Sequence, residues 1–218
     1  MRVDGRLVLD PAAPVVPERA RIAVDGEART RAVWRTIVFN KPRGAVTTRR
    51  DPDGRPTIYD VLGDAGRGLV AVGRLDLATS GLLLLTTDTR LADWITNPAH
   101  NVPRVYVATV RGAVADEALA RLTAGVSIGR ERLAAHAVTL RKRSARESHL
   151  TVELREGRNR EVRRLFDAIG HEVTRLKRVA LGGLALGDLP PGAWRELSPR
   201  EIQAAFPAYN RRARRGTV

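Results

Sequence analysis

Residues 72–88 read VGRLDLATSGLLLLTTD. Four consecutive leucines, Leu82 to Leu85, follow Gly81 and end in a polar cluster. A short leucine run with no polar alternation is the pattern of a strand buried on both faces. The segment before it, Gly73 to Leu77, is turn-like and basic, and it carries one carboxylate, Asp76. Thr79 follows three residues later, so Asp76 suits an N-cap or Asx turn. A loop residue held beside a rigid strand is also where reactive groups sit. Spacing leaves both readings open.

Outward from this stretch the chain alternates irregularly between strands and helices. Residues 1–33 carry short β pieces around Asp-Gly turns and no helical periodicity. WRTIVFNKPRG, from Trp34, reads as a strand ending in a turn, and DPDGRPTIYDVLG as a turn cluster leading to a short helix. GLVAVGRL reads as a further buried strand. TRLADWITNP has helical spacing at Leu91, Trp94 and Ile95, with Pro98 as its stop. RVYVATVRG alternates with period two and predicts a strand, and ADEALARLTAG predicts an amphipathic helix that Gly125 closes. AAHAVTLRKRS and SHLTVELREG follow as strands.

NREVRRLFDAIG is the clearest helix. Val162, Leu165, Phe166 and Ile169 form its apolar stripe, Asn159 suits the N-cap and Gly170 the C′ position. Arg163 lies about 60° from Phe166 on the wheel, at the edge of the stripe, where its stem can follow the core and its guanidinium face a cleft. Arg158, Arg160 and Arg164 complete a basic group suited to phosphates. EVTRLKRVALGGLAL and GAWRELS add strands, SPREIQAAF a last short helix, and NRRARRGTV a basic tail. No βαβαβ run is present, so the pattern favours an α+β fold on a mainly antiparallel sheet.

Composition narrows the chemistry. Among 218 residues, 38 are basic and 24 acidic, a net charge of +14 that favours a polyanionic partner. The absence of cysteine removes disulfides, thiolate nucleophiles and cysteine-based metal centres. His100, His136, His149 and His171 have no ligand-like spacing, so no metal site is expected. No Walker loop, dinucleotide fingerprint or nucleophile elbow is present. No apolar run reaches the length of a membrane span, which predicts no membrane association and a cytoplasmic protein.

Residues 72–88 closely resemble the catalytic motif of pseudouridine synthases, in the RsuA/RluB-like branch that modifies ribosomal RNA. FNKPRG (39–44), DPDGRPTIYDVL (51–62), EGRNREVRRLFDAIGHEVTRLKRVALGGL (156–184) and LPPGAWREL (189–197) resemble further motifs of that branch, in order. The resemblance implies a mixed, mainly antiparallel sheet in two subdomains, flanked by helices, with a central catalytic cleft. It assigns the nucleophile to Asp76, the active-site tyrosine to Tyr106 and the basic site residue to Arg163, paired with Asp76. Arg74 matches an arginine that contacts RNA beside the extruded base. Lys41, Arg43, Arg158, Arg160 and Arg164 are expected to bind RNA. The isomerisation requires no cofactor.

The implied partner is ribosomal RNA, large-subunit (23S) favoured over small-subunit (16S), met by a monomer. The expected organisation is an incomplete S4-like RNA-binding remnant (1–33), a catalytic domain (34–205) and a basic tail (206–218). The rival reading is a non-catalytic ribosomal RNA-binding or assembly factor with the same fold. An acidic residue in a basic cleft favours the enzyme.

Overall fold

The computed structural model describes residues 1–10, 12–15, 20–29 and 34–209. The chain divides into two compact units, Met1–Trp34 and Arg35–Val218. The first is a four-stranded antiparallel sheet of β1 (Arg2–Val3), β2 (Arg6–Leu7), β3 (Ile22–Val24) and β4 (Glu27–Arg29), in the order β2-β1-β3-β4. Asp4-Gly5 and Asp25-Gly26 close its hairpins with φ of 49° and 82°, and 54° and 83°. Positive φ at both positions is what a two-residue hairpin turn demands, and it is why these turns are Asp-Gly.

The second unit contains β5 (Thr36–Lys41), β6 (Val70–Ala71), β7 (Thr79–Thr86), β8 (Arg104–Arg111), β9 (Val126–Ile128), β10 (Glu131–Leu133), β11 (Ala137–Arg143), β12 (Glu147–Leu154), β13 (Val173–Leu181), β14 (Leu184–Ala185) and β15 (Trp194–Glu196). Its helices are α1 (Ile58–Leu62), α2 (Thr89–Thr96), α3 (Asp116–Ala124), α4 (Glu161–Asp167) and α5 (Pro199–Ala205). A nine-stranded sheet runs β11-β12-β8-β13-β7-β5-β15, with β6 beside β7 and β14 beside β13. Within it β13 and β7 pair in parallel and the other pairings are antiparallel. The structure is therefore the expected α+β fold on a mainly antiparallel mixed sheet.

The leucine run explains the layering. Leu83 and Leu85 join Ile37, Phe39 and the inner residues of α1, α3 and α4 in one core. Leu82 and Leu84 join Val38 and the inner residues of α2 and α5 in a second core on the opposite face. All four leucines are fully buried. Each contributes about 1.5–3 kcal/mol of burial, so β7 is anchored from both sides. Three of the helices begin where side chains cap them. Asp88 accepts from the backbone of Arg90 and Leu91 at the start of α2, and capping boxes, Thr57 with Asp60 and Ser198 with Glu201, open α1 and α5.

Five details differ from the sequence reading. α4 starts at Glu161, and its N-cap is Arg160 in the left-handed region (φ 48°), not Asn159. Its C-cap is Ala168, so Gly170 (φ 84°) falls two residues beyond. β6 is a two-residue, half-buried strand rather than a long buried one. The β9–β10 hairpin is a further element, too short to show periodicity. Phe206 and Tyr209 pack in the second core, so packing continues past residue 205. The tail beyond residue 209 lies outside the described residues.

The β7–β13 seam has one steric requirement. A Cβ on Gly81 would lie 2.2 Å from the carbonyl oxygen of Arg178, and Gly81 has φ of 103°. Neither condition tolerates a side chain. Gly81→Ala is expected to destabilise the second unit by about 2 kcal/mol or more, through overpacking and backbone strain. A urea titration followed by tryptophan fluorescence measures this, and an unchanged midpoint contradicts it.

Candidate active site

Asp76 lies in the loop between β6 and β7, and every main-chain carbonyl of that loop from Leu75 to Thr79 is engaged. The Thr47 hydroxyl donates to Leu75 O (2.8 Å), Thr79 N to Asp76 O (3.0 Å) and Gly44 N to Leu77 O (2.9 Å). Arg163 Nη2 donates to Ala78 O (3.2 Å) and Lys41 Nζ to Thr79 O (2.9 Å). The turn is thus closed by the carbonyl of Asp76. Its carboxylate accepts no hydrogen bond from a described residue and is free to face the cleft. That outcome separates the two readings the spacing left open, because the side chain does not act as a cap.

The cleft has a volume of about 340 Å³. Arg74, Arg158 and Arg160 line it and are exposed. Tyr106, Arg104, Glu161 and Arg178 line it and are buried. Leu154, Leu176 and Val162 supply an apolar wall. Asp76 and Tyr106 therefore share one cavity.

The ion partner of Asp76 is Arg160, with Nη1 3.9 Å from Oδ2. The left-handed N-cap conformation of Arg160 accompanies this placement. The expected pairing of Arg163 with Asp76 is replaced by hydrogen bonds to carbonyls. Arg163 Nη1 donates to Val173 O (2.7 Å), and Nη2 holds the Asp76 loop at Ala78. Burial lowers the Arg163 pKa first, and Arg160 lowers it further, while Asp76 opposes both. Arg163 acts on Asp76 through the field and through the loop.

Lys41 corrects a second expectation. It is fully buried at the end of β5, with Nζ donating to Thr79 O and Pro42 O (3.1 Å), so it cannot meet an RNA phosphate at the surface. Burial pushes its pKa down to about 8, against the attraction of Asp76. Arg164 is tied to Glu131 and Arg43 is exposed, and neither lines the cleft. Arg158 lines it while pairing with Glu156 (2.5 Å).

The sequence reading missed Arg104, Glu161 and Arg178. Arg104 donates to the carbonyls of Val102, Ile95 and Arg155, and burial lowers its pKa. Glu161 accepts from Arg158 N (3.2 Å), closing the loop before α4, and burial raises its pKa. The available signal for Arg178 was alternation in VTRLKRVAL, which puts it on the inward face with Leu176.

Comparison with known proteins identifies the family. The sequence profile of the RNA pseudouridylate synthase family matches residues 35–168. The chain belongs to this family. An uncharacterized RNA pseudouridine synthase of Aquifex aeolicus is 37% identical over 209 residues, covering 95% of this chain and 84% of the relative. The ribosomal large subunit pseudouridine synthase B of Yersinia pestis is 39% identical over 202 residues, covering 89% of this chain and 64% of its own. The chain thus spans less than two thirds of the Yersinia protein. A crystal structure of a pseudouridylate synthase superposes with a TM-score of 0.69 at 29% identity, covering 93% of this chain and 86% of its own.

Lys41 gives a pH test of the site. Its folded pKa lies below its unfolded value, so between about pH 8 and 10.5 the unfolded chain holds more protons. Stability therefore rises with pH across that window, by on the order of 2 kcal/mol from this residue. Chemical denaturation at a series of pH values is expected to show this rise in the wild type and a smaller one in Lys41→Met.

Proposed function

We propose that the protein isomerises a specific uridine of ribosomal RNA to pseudouridine, with Asp76 as the nucleophile. The observation that carries this reading is the uncapped Asp76 carboxylate, on a loop clamped by its main chain, in the same arginine-lined cleft as Tyr106. The large-subunit RNA is the favoured substrate, since the Yersinia pestis relative is named for that subunit. The working form is a monomer in the cytoplasm.

The chemistry follows from the residues. The target uridine leaves its stack at a cost of a few kcal/mol and enters the cleft. Asp76 attacks C1′ of the ribose while the C1′–N1 bond breaks and its electron pair moves onto the uracil. The ring turns, C5 bonds to C1′, and the bond to Asp76 breaks. C5 loses its proton and N1 gains one, so substrate and product are isomers and no oxidant or reductant enters. Arg160, with Nη1 3.9 Å from Oδ2, is the cation beside the carboxylate before attack. Tyr106 packs against the extruded base. Arg74, Arg158 and Arg160 hold phosphates at the rim. The first unit, Met1–Trp34, serves as an S4-type remnant that adds RNA affinity.

Two experiments test this. Incubation with unmodified 23S or 16S RNA carrying tritium at uridine C5 is expected to release tritium from 23S RNA. Asp76→Asn is expected to lower the rate at least about 1,000-fold while still binding RNA. Absence of release by the wild type from either RNA sinks the proposal, and chemical mapping of the product locates the uridine. Separately, Arg74→Ala is expected to weaken RNA binding and to reduce the slope of log K against log salt by about one. Anisotropy titrations over a salt series measure that slope.

A further inference from the structure

Among the described residues three buried polar side-chain atoms lack a hydrogen-bond partner: Thr79 Oγ1, Arg163 Nε and Arg178 Nη2. Arg178 combines this with a place in the cleft wall and 3% exposure. It lies on β13, in register with Tyr106 of β8 on one side and Gly81 of β7 on the other. Tyr106 and Arg178 therefore stand side by side on one face, and Gly81 adds no side chain beside them. Arg178 Nε donates to Leu82 O (2.7 Å), which fixes the guanidinium against β7. Among the described residues no other hydrogen bond or ion pair engages its side chain.

Arg104 is the contrast. It is a second buried arginine of the same cleft, and its donors are committed to three carbonyls. A buried donor without an acceptor is costly, and a fold retains one where a ligand supplies the missing oxygen. Depth indicates which oxygen. Arg74, Arg158 and Arg160 are exposed at the rim, where the RNA backbone passes. Arg178 lies on the floor beside Tyr106, which an extruded base reaches and a phosphate does not.

We propose that Arg178 contacts the extruded uracil and takes up the negative charge that gathers on a ring carbonyl oxygen, O2 or O4, as the glycosidic bond breaks. This rests on the isomerase reading above. When C1′–N1 breaks, its electron pair passes to N1 and delocalises onto O2 and O4. The guanidinium remains protonated and donates a hydrogen bond to one of these oxygens, which strengthens as charge develops. When the ring's electron pair forms the C5–C1′ bond and Asp76 leaves as a carboxylate, the ring is neutral again, and the later loss of the C5 proton with gain of one at N1 changes no net charge. The interaction is strongest between the two bond changes, so it accelerates the reaction more than it tightens RNA binding.

The test uses single-turnover kinetics on a 23S RNA fragment carrying uridine, 2-thiouridine or 4-thiouridine at the mapped position, with nucleosides resolved by mass spectrometry. Arg178→Gln is expected to slow the uridine reaction about 100- to 1,000-fold, with RNA affinity within about threefold of wild type. The wild type is expected to slow about tenfold on one of the two thio-substrates, because sulfur is the weaker acceptor. Arg178→Gln is expected to lose that discrimination, and Arg178→Lys, which keeps the charge, to retain part of the rate. An Arg178→Gln rate within threefold of wild type, affinity lost in step with rate, or unchanged discrimination among the three substrates overturns the inference. A wild type that leaves uridine unmodified overturns the functional reading and this inference with it.

Discussion

The parallel pairing of β7 with β13 is the constraint on which the site depends. Two parallel strands begin at the same end of a sheet. Asp76 immediately precedes β7, and α4 precedes β13, so the seam brings the Asp76 loop and the arginines of α4 to one edge. Gly81 makes the seam possible, because its backbone meets that of Arg178 with no room for a Cβ. The leucines beyond Gly81 then fix β7 between two cores. Steric fit at one glycine and burial of four leucines together determine where the carboxylate stands.

Around that carboxylate, cations are held in an unusual manner. Lys41, Arg104, Arg163 and Arg178 are all buried, and each donates to main-chain carbonyls. Carbonyl dipoles orient a cation without cancelling its charge. Acidic partners are placed farther out, as with Glu131 on Arg164 and Glu156 on Arg158. The interior of the cleft stays positive even though two carboxylates, Asp76 and Glu161, line it.

Much of this was legible in the sequence, for physical reasons. The Asp-Gly turns, the capped helices α1, α2 and α5 and the leucine strand declare themselves through local stereochemistry and periodicity. Asp76 and Tyr106 were legible only through their order in a family pattern, since spacing alone left a capping role open. Burial of Lys41 was hidden because lysine ordinarily seeks water, and only the closure of β5 against the Asp76 loop encloses it. The start of α4 was misplaced because Asn159 has the better capping chemistry. The loop instead closes through the side chain of Glu161, which leaves Arg160 in a left-handed conformation beside Asp76. The burial of Lys41 against Thr79 and the meeting of Arg160 with Asp76 are long-range outcomes that no window of sequence contains.

The clamping of the Asp76 loop through its own carbonyls has an evolutionary consequence. The hydrogen bonds that position the carboxylate accept at the backbone of residues 75–79, whatever side chains those residues carry. Exposed side chains of the loop such as Leu77 and Arg74 can therefore drift without displacing the Asp76 carboxylate. A lineage built this way can explore new RNA targets while its bond-breaking chemistry stands still, so that choice of substrate and competence for the reaction diverge at independent rates.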